Sequence, residues 1–241
     1  MDLKLKGKSV LVTGGSKGIG LACVRTFMAE GCRVHLASRD PRQVPEGATA
    51  HAVDLRDAAA LQKLAAQCAD VDILVNNAGD IPGGTLESLD DAKWRHAWEL
   101  KVFGYINLTR AVFGRMKARR SGVIVNVIGM AAENPSPEYI CGATANAGLA
   151  AFTKALGKGS VEHGVRVVGI HPPSTRTDRI LQVMKAAAKA KLGDENRYKE
   201  LVGQGGMFGQ MIEPEQVGDT VAFLASPRAG QLSGIVLNLG T

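Results

Sequence analysis

The sequence predicts an α/β fold built on a doubly wound parallel sheet, and three observations predict it. Short β-type runs alternate with helical stretches almost to the C-terminus, with strands expected at 10–12, 33–37, 73–75, 123–127, 165–170 and 235–239. Several of these runs are nearly continuous Val, Ile and Leu, the pattern of strands covered on both faces. A glycine turn, Thr13-Gly14-Gly15-Ser16-Lys17-Gly18-Ile19-Gly20, joins the first run to a helical pattern carried by Leu21, Val24, Phe27 and Met28. Together they describe a Rossmann-type arrangement in three α/β/α layers, with its ligand crevice at the carboxyl ends of the strands.

The first strand, Val10-Leu11-Val12, is apolar throughout and gives way to the glycine turn, after which residues 19–30 form a helix. The second strand ends in Ser38-Arg39, and a helix at 58–68 follows. The strand at 73–75 runs into Asn76-Asn77-Ala78-Gly79, and a long helical pattern occupies 90–117. After the strand at 123–127, Asn134-Pro135-Ser136-Pro137 reads as loop, so the next helix is expected at 144–163. Beyond the strand at 165–170, an insertion at about 179–211 breaks the rhythm with a helical, charge-mixed stretch and then Gly203-Gln204-Gly205-Gly206. A long connection on the crevice side acts as a lid over a substrate, with a solvated loop as the plainer alternative. Its Met184, Met207, Phe208 and Met211 point to an apolar ligand. A helix at 214–225 and the last strand complete one expected domain spanning 1–241.

Composition narrows the function. The chain has 241 residues, 45% of them hydrophobic but only 5% aromatic, which suits an aliphatic sheet under Ala- and Gly-rich helices. No apolar run approaches the roughly 18 residues of a membrane span, and residues 1–8 lack the apolar stretch of a signal peptide. A cytoplasmic protein with no membrane partner is expected. Cys23, Cys32, Cys68 and Cys141 show no paired metal-type spacing, so they read as reduced thiols and no metal site is expected. The net charge of +6 is scattered, and its densest cluster, Lys117 to Arg120, sits where a helix should end. Without aromatic-basic interleaving, nucleic acid is not an expected partner.

The cofactor end is the clearest part of the chain. A helix N-terminus offers unpaired N–H groups and a positive dipole end, and glycines at 14, 18 and 20 let backbone approach a pyrophosphate. Ser16, Lys17 and Ile19 belong to the same turn. After the second strand there is no acid to accept from a ribose 2′-hydroxyl, whereas Arg39 and Lys17 present two cations to a 2′-phosphate. That favours NADP(H) over NAD(H). Asp54 and Leu55 end a short run where an adenine could be met, and Asn77, Ala78 and Gly79 are small or amide residues able to line a ribose.

These motifs resemble the short-chain dehydrogenase/reductase family over essentially the whole chain. The resemblance rests on Thr-Gly-x-x-x-Gly-x-Gly at 13–20, Asn-Asn-Ala-Gly at 76–79, Gly-Val-Ile-Val-Asn-Val at 122–127, Leu-Ala-Ala-Phe-Thr-Lys-Ala-Leu at 149–156 and Ser-Gly at 233–234. It implies a catalytic tetrad of Asn, Ser, Tyr and Lys, in which a cation lowers the tyrosine pKa from about 10. Counting from the flanking motifs puts the Ser position at Gly129, the Tyr position at Gly142, the Lys position at Asn146 and the Asn position at Lys101. All four identities differ, although the spacing between 129 and 142 is kept.

Tyr139, Lys101 and Asn146 are therefore the candidate catalytic residues. On one helix Tyr139 and Asn146 would lie about 10 Å apart along the axis, too far to couple. In a loop, Tyr139 could instead swing into the space left at 142 and 129. Lys101 would be a cation at the inner end of the crevice, able to polarise a carbonyl or lower a phenol pKa, or else a solvated helix lysine. His171 and Cys141 are weaker candidates. Three functions stay open: an NADP(H)-dependent oxidoreductase with a non-standard proton donor acting on a small-molecule carbonyl or alcohol, a cofactor-binding protein without turnover, and a non-redox enzyme using the nucleotide structurally. The resemblance also implies a homodimer or homotetramer.

Overall fold

In the computed structural model, which describes residues 1–202 and 211–240, seven parallel strands form one sheet in the order β3-β2-β1-β4-β5-β6-β7. The strands are β1 (Ser9–Thr13), β2 (Arg33–Ser38), β3 (Thr49–Ala52), β4 (Ile73–Asn76), β5 (Gly122–Val127), β6 (Val165–His171) and β7 (Val236–Asn238). Order reverses between β1 and β4, which opens the crevice that doubly wound sheets use for ligands.

Alternation along β1 divides the core. Val10 and Val12 face α1 (Gly18–Ala29) and α8 (Pro214–Ala225), while Leu11 faces α2 (Ala58–Gln67), α4 (Gly104–Ala118) and α5 (Ile140–Gly159). The remaining helices are α3 (Asp91–Trp98), α6 (Asp178–Leu192) and α7 (Tyr198–Val202). No helix among the described residues is long and apolar enough to cross a membrane.

Three local features depart from the sequence expectation. The strand β3, Thr49-Ala50-His51-Ala52, has no apolar run of its own and exists because β2 pairs with it, His35 opposite Thr49 and Ala37 opposite His51. The helix expected from 144 starts at Ile140, four residues early, with Tyr139 as its N-cap in a non-helical conformation. The long helix expected at 90–117 is interrupted by a π-helical turn, Glu99–Phe103, between α3 and α4. Such turns concentrate at functional sites. The insertion forms α6 and α7, whereas Gly203 to Gly206, Met207 and Phe208 lie outside the described residues.

Arg166 on β6 ties the last third of the chain together. Its guanidinium donates to the carbonyls of Leu224, Ala225, Ser226, Ala229 and Leu232 at 3.0 to 3.2 Å, fixing the end of α8 against the sheet. Its removal leaves several part-buried carbonyls unsatisfied, each worth about 1–3 kcal/mol when fully buried. Arg166→Met is expected to lower the free energy of unfolding by about 3 kcal/mol, read from the midpoint in urea; a loss below about 1 kcal/mol would contradict this role.

Candidate functional site

The glycine turn and the end of β4 build the floor of the crevice. Thr13 Oγ1 accepts from the N–H groups of Asn77 and Ala78 at 2.9 and 3.1 Å, and Asn77 Nδ2 donates to the carbonyls of Thr13 and Gly14 at 3.0 and 3.3 Å. A Cβ on Gly20 would lie 2.1 Å from the Gly14 carbonyl oxygen, and Gly14 itself has φ +66°. Gly18, at φ +53°, starts α1, and the N-cap residue Lys17 places no side chain over the helix end. The turn is thus a cradle that any side chain would fill, open at a helix N-terminus, with the donors a pyrophosphate needs.

The groove running from this turn holds about 540 Å³. Gly14, Lys17 and Ile19 line one side and Ala78 and Gly79 another. The start of α6 forms the third, where Thr177 Cγ2 comes within 3.1 Å of the place a Gly18 Cβ would take. Towards β2, Ser16 Oγ and Ser38 Oγ share a hydrogen bond of 2.8 Å, and Arg39 and Leu55 border the groove. Arg39 is paired with Asp80 at 3.7 Å. Both carboxylate oxygens of Asp54 accept from Arg56, which holds the Asp54 carboxyl below its usual range. Hence the Asp54 charge is neutralised by Arg56, and its neighbours Val53 and Leu55 line the groove in its place.

At the opposite end, three side chains converge on Gly129. Lys101, on the π-turn, lays its stem over Gly79 and donates from Nζ to the Ile128 carbonyl at 2.7 Å. The residue as a whole is partly covered, but its ammonium is withdrawn from water, and that desolvation, with the Arg179 charge adding to it, brings the pKa down to about 8. Asn146 Nδ2 lies 2.9 Å from the position of a Gly129 Cβ, and Asn146 Oδ1 is buried with no partner among the described residues. His171 Nδ1 accepts from the Gly129 N–H at 3.3 Å. His171 Nε2 stands 3.5 Å from Glu133 but outside hydrogen-bond geometry, and burial lowers the imidazole pKa, so at neutral pH the contact is not a charged pair.

Tyr139 occupies the space that position 142 leaves. A Cβ on Gly142 would lie 2.1 Å from both Cε1 and Cζ of the Tyr139 ring. Burial raises the phenol pKa, and the Arg179 charge opposes it. Tyr139 is therefore protonated across the neutral range. Gly129, at φ +144°, holds a backbone conformation that L side chains rarely adopt. Cys141 is buried, its thiol pKa is pushed up by that burial, and its carbonyl accepts from Trp98 Nε1.

Sequence reasoning missed Arg179 and Asp80. From the first turn of α6, Arg179 donates across the crevice to the Ile81 carbonyl at 2.6 Å and pairs with Asp80 at 3.5 Å. No motif or spacing marks a residue whose partners lie about a hundred positions earlier in the chain.

The family model for short chain dehydrogenases matches residues 8–187. The chain is 30% identical to 2,3-dihydro-2,3-dihydroxybenzoate dehydrogenase of Bacillus subtilis (strain 168), over 95% of this chain and 93% of that protein. L-sorbose reductase from Gluconobacter frateurii, solved with NADPH and L-sorbose, superposes with a TM-score of 0.92 at 27% identity, covering 100% of this chain and 97% of the other. A 7α-hydroxysteroid dehydrogenase solved with NADH superposes with a TM-score of 0.87 at 27% identity, covering 99% of this chain and 95% of the other. With the cradle, the switch-point crevice and this match along most of its length, the chain belongs to the short chain dehydrogenase family of oxidoreductases.

Proposed function

We propose that this protein is an NADP(H)-dependent reductase that interconverts a small, apolar carbonyl compound and its alcohol, with Lys101 as proton donor and Tyr139 beside it. The observation that carries this reading is the Lys101 ammonium, held between Gly79 and Ile128 with a pKa of about 8. An acid works best when its pKa lies near the operating pH, and a desolvated lysine meets that condition where a free one does not. A nicotinamide held in the groove supplies hydride to a carbonyl carbon, or accepts it from the alcohol carbon.

The chain's own residues do the rest. The cradle of Gly14, Gly18 and Gly20 takes the pyrophosphate, and Arg39 with Lys17 takes a 2′-phosphate where Ser38 stands instead of an acid. Asn146 Oδ1, buried and unpaired, accepts from a ribose hydroxyl. Lys101 keeps one hydrogen on Ile128 and turns another toward the substrate oxygen, to which the proton passes as the bond to carbon forms. The protonated Tyr139 phenol donates to the same oxygen. The apolar character of the substrate rests on the methionines of the insertion, Met184 and Met211 among them.

In this reading the four changed positions form one rebuilt unit. A tyrosine returned to 142 would collide with Tyr139, and a serine returned to 129 would need both a strained φ and the space of the Asn146 amide.

A panel of ketones and aldehydes with NADPH tests the reading. Lys101→Met is expected to lower kcat/KM by about 10² or more, and Tyr139→Phe by about tenfold, with NADPH affinity kept. Reduction should fall as pH rises through about 8, where the ammonium is lost, and oxidation of the alcohol should rise over the same window. NADPH binding without turnover on any substrate, or full rates in both variants, would sink the proposal. Arg39→Ala should weaken NADPH binding by about 10- to 100-fold and leave NADH unchanged, measured by fluorescence titration. Gly142→Tyr should not restore an ordinary tetrad but destabilise the fold by about 1–3 kcal/mol, visible as a lower melting temperature.

A further inference from the structure

Outside the crevice, His35, His51 and Cys68 bring three metal-ligating atoms within 4.8 Å of one another. His35 comes from β2 and His51 from its partner, the edge strand β3, and Cys68 is the C-cap of α2, which lies over the same face of the sheet. His51 is separated from His35 by 16 positions and from Cys68 by 17, so no local spacing announces the cluster.

We propose that these three side chains form a binding site for one divalent d-block cation of the Zn2+ type, with water completing a tetrahedron. The edges of the donor triangle carry the argument. At ordinary Zn–N and Zn–S bond lengths, tetrahedral ligands stand about 3.3 Å apart for two nitrogens and about 3.6 Å apart for nitrogen and sulfur. Here His35 Nδ1 and His51 Nε2 are 3.2 Å apart, and His51 Nε2 and Cys68 Sγ are 3.7 Å apart. The third edge, from His35 to Cys68, is no longer than 4.8 Å. Two imidazoles and a thiolate are also the donor chemistry that zinc, cobalt and copper select.

The surroundings agree with a cation. On binding, the Cys68 thiol proton leaves to solvent as the metal–sulfur bond forms. The carboxylate of Asp70, two residues on, adds negative charge near this thiol. The bound ion would fasten the edge strand β3, which has little apolar surface of its own, to α2.

Co2+ added to the tag-free wild-type protein should give a thiolate charge-transfer band and tetrahedral ligand-field bands that saturate at one ion per chain and vanish on adding Zn2+. Cys68→Ser should abolish the charge-transfer band, and His51→Ala should weaken Co2+ binding by at least about tenfold. Cys32→Ser, whose thiol instead faces the Leu5 carbonyl, should leave both unchanged. Zn2+ should raise the melting temperature of the wild type and not of Cys68→Ser. Wild-type protein with no thiolate band, or a band that survives Cys68→Ser, would overturn the site and leave the cluster a hydrogen-bonded histidine pair beside a thiol.

Discussion

The turn after β1 and the end of β4 are pressed so closely together that the turn has no room for a side chain at 14 or 20. The Thr13 hydroxyl takes two N–H groups from the β4 end and points its own hydrogen at Val75, while the Asn77 amide returns two bonds to the turn. Backbone approach of this kind needs glycine at 14 and 20, and it fixes where α1 begins relative to the crevice. Everything placed along the crevice inherits its position from that junction. Gly79, against which the Lys101 stem rests, follows directly from the same strand end.

Parts of the molecule that obey one local rule were legible in the sequence. Short β-type runs, several of them nearly continuous aliphatic stretches, marked six strands, and the helix expected at 214–225 is α8, where Glu213 and Gln216 form a capping box. Features set by partners distant in sequence were not. β3 is a strand through its pairing with β2 alone, and the π-turn leaves the apolar pattern of the helix on either side unchanged. Gly142 in the first turn of α5 weakened the helical pattern there and hid its true start at Ile140. The groove glycines and Arg39 could be read as a pattern, whereas the burial of Lys101, the pairing of Asp54 with Arg56 and the reach of Arg179 depend on tertiary contacts that leave no periodicity.

The packing around Gly129 and Gly142 shows how two glycines can sit in a dense region. Voids in a packed core cost free energy roughly in proportion to their volume. Here the ring of Tyr139, the N-cap of α5, fills the side-chain space at Gly142, and the Asn146 amide fills the side-chain space at Gly129. Both fillings keep the region close-packed. Asn146 Oδ1 is buried without a donor among the described residues, an orphan acceptor that calls for a water or a ligand.

Arg179 links the two ends of the crevice through charge. It shares Asp80 with Arg39, and all three side chains are about half exposed, so these pairs contribute at most about 1 kcal/mol each and exchange readily. A phosphate dianion beside Arg39, on the proposed reading, competes with Asp80 for that cation and repels its carboxylate. Asp80 then leans on Arg179 instead. The Arg179 charge lowers the pKa of both Lys101 and Tyr139, so a shift in its pairing moves both side chains in the same direction. On the proposed reading, nucleotide capture and proton affinity would be connected through this guanidinium at the start of α6, with no change of fold required.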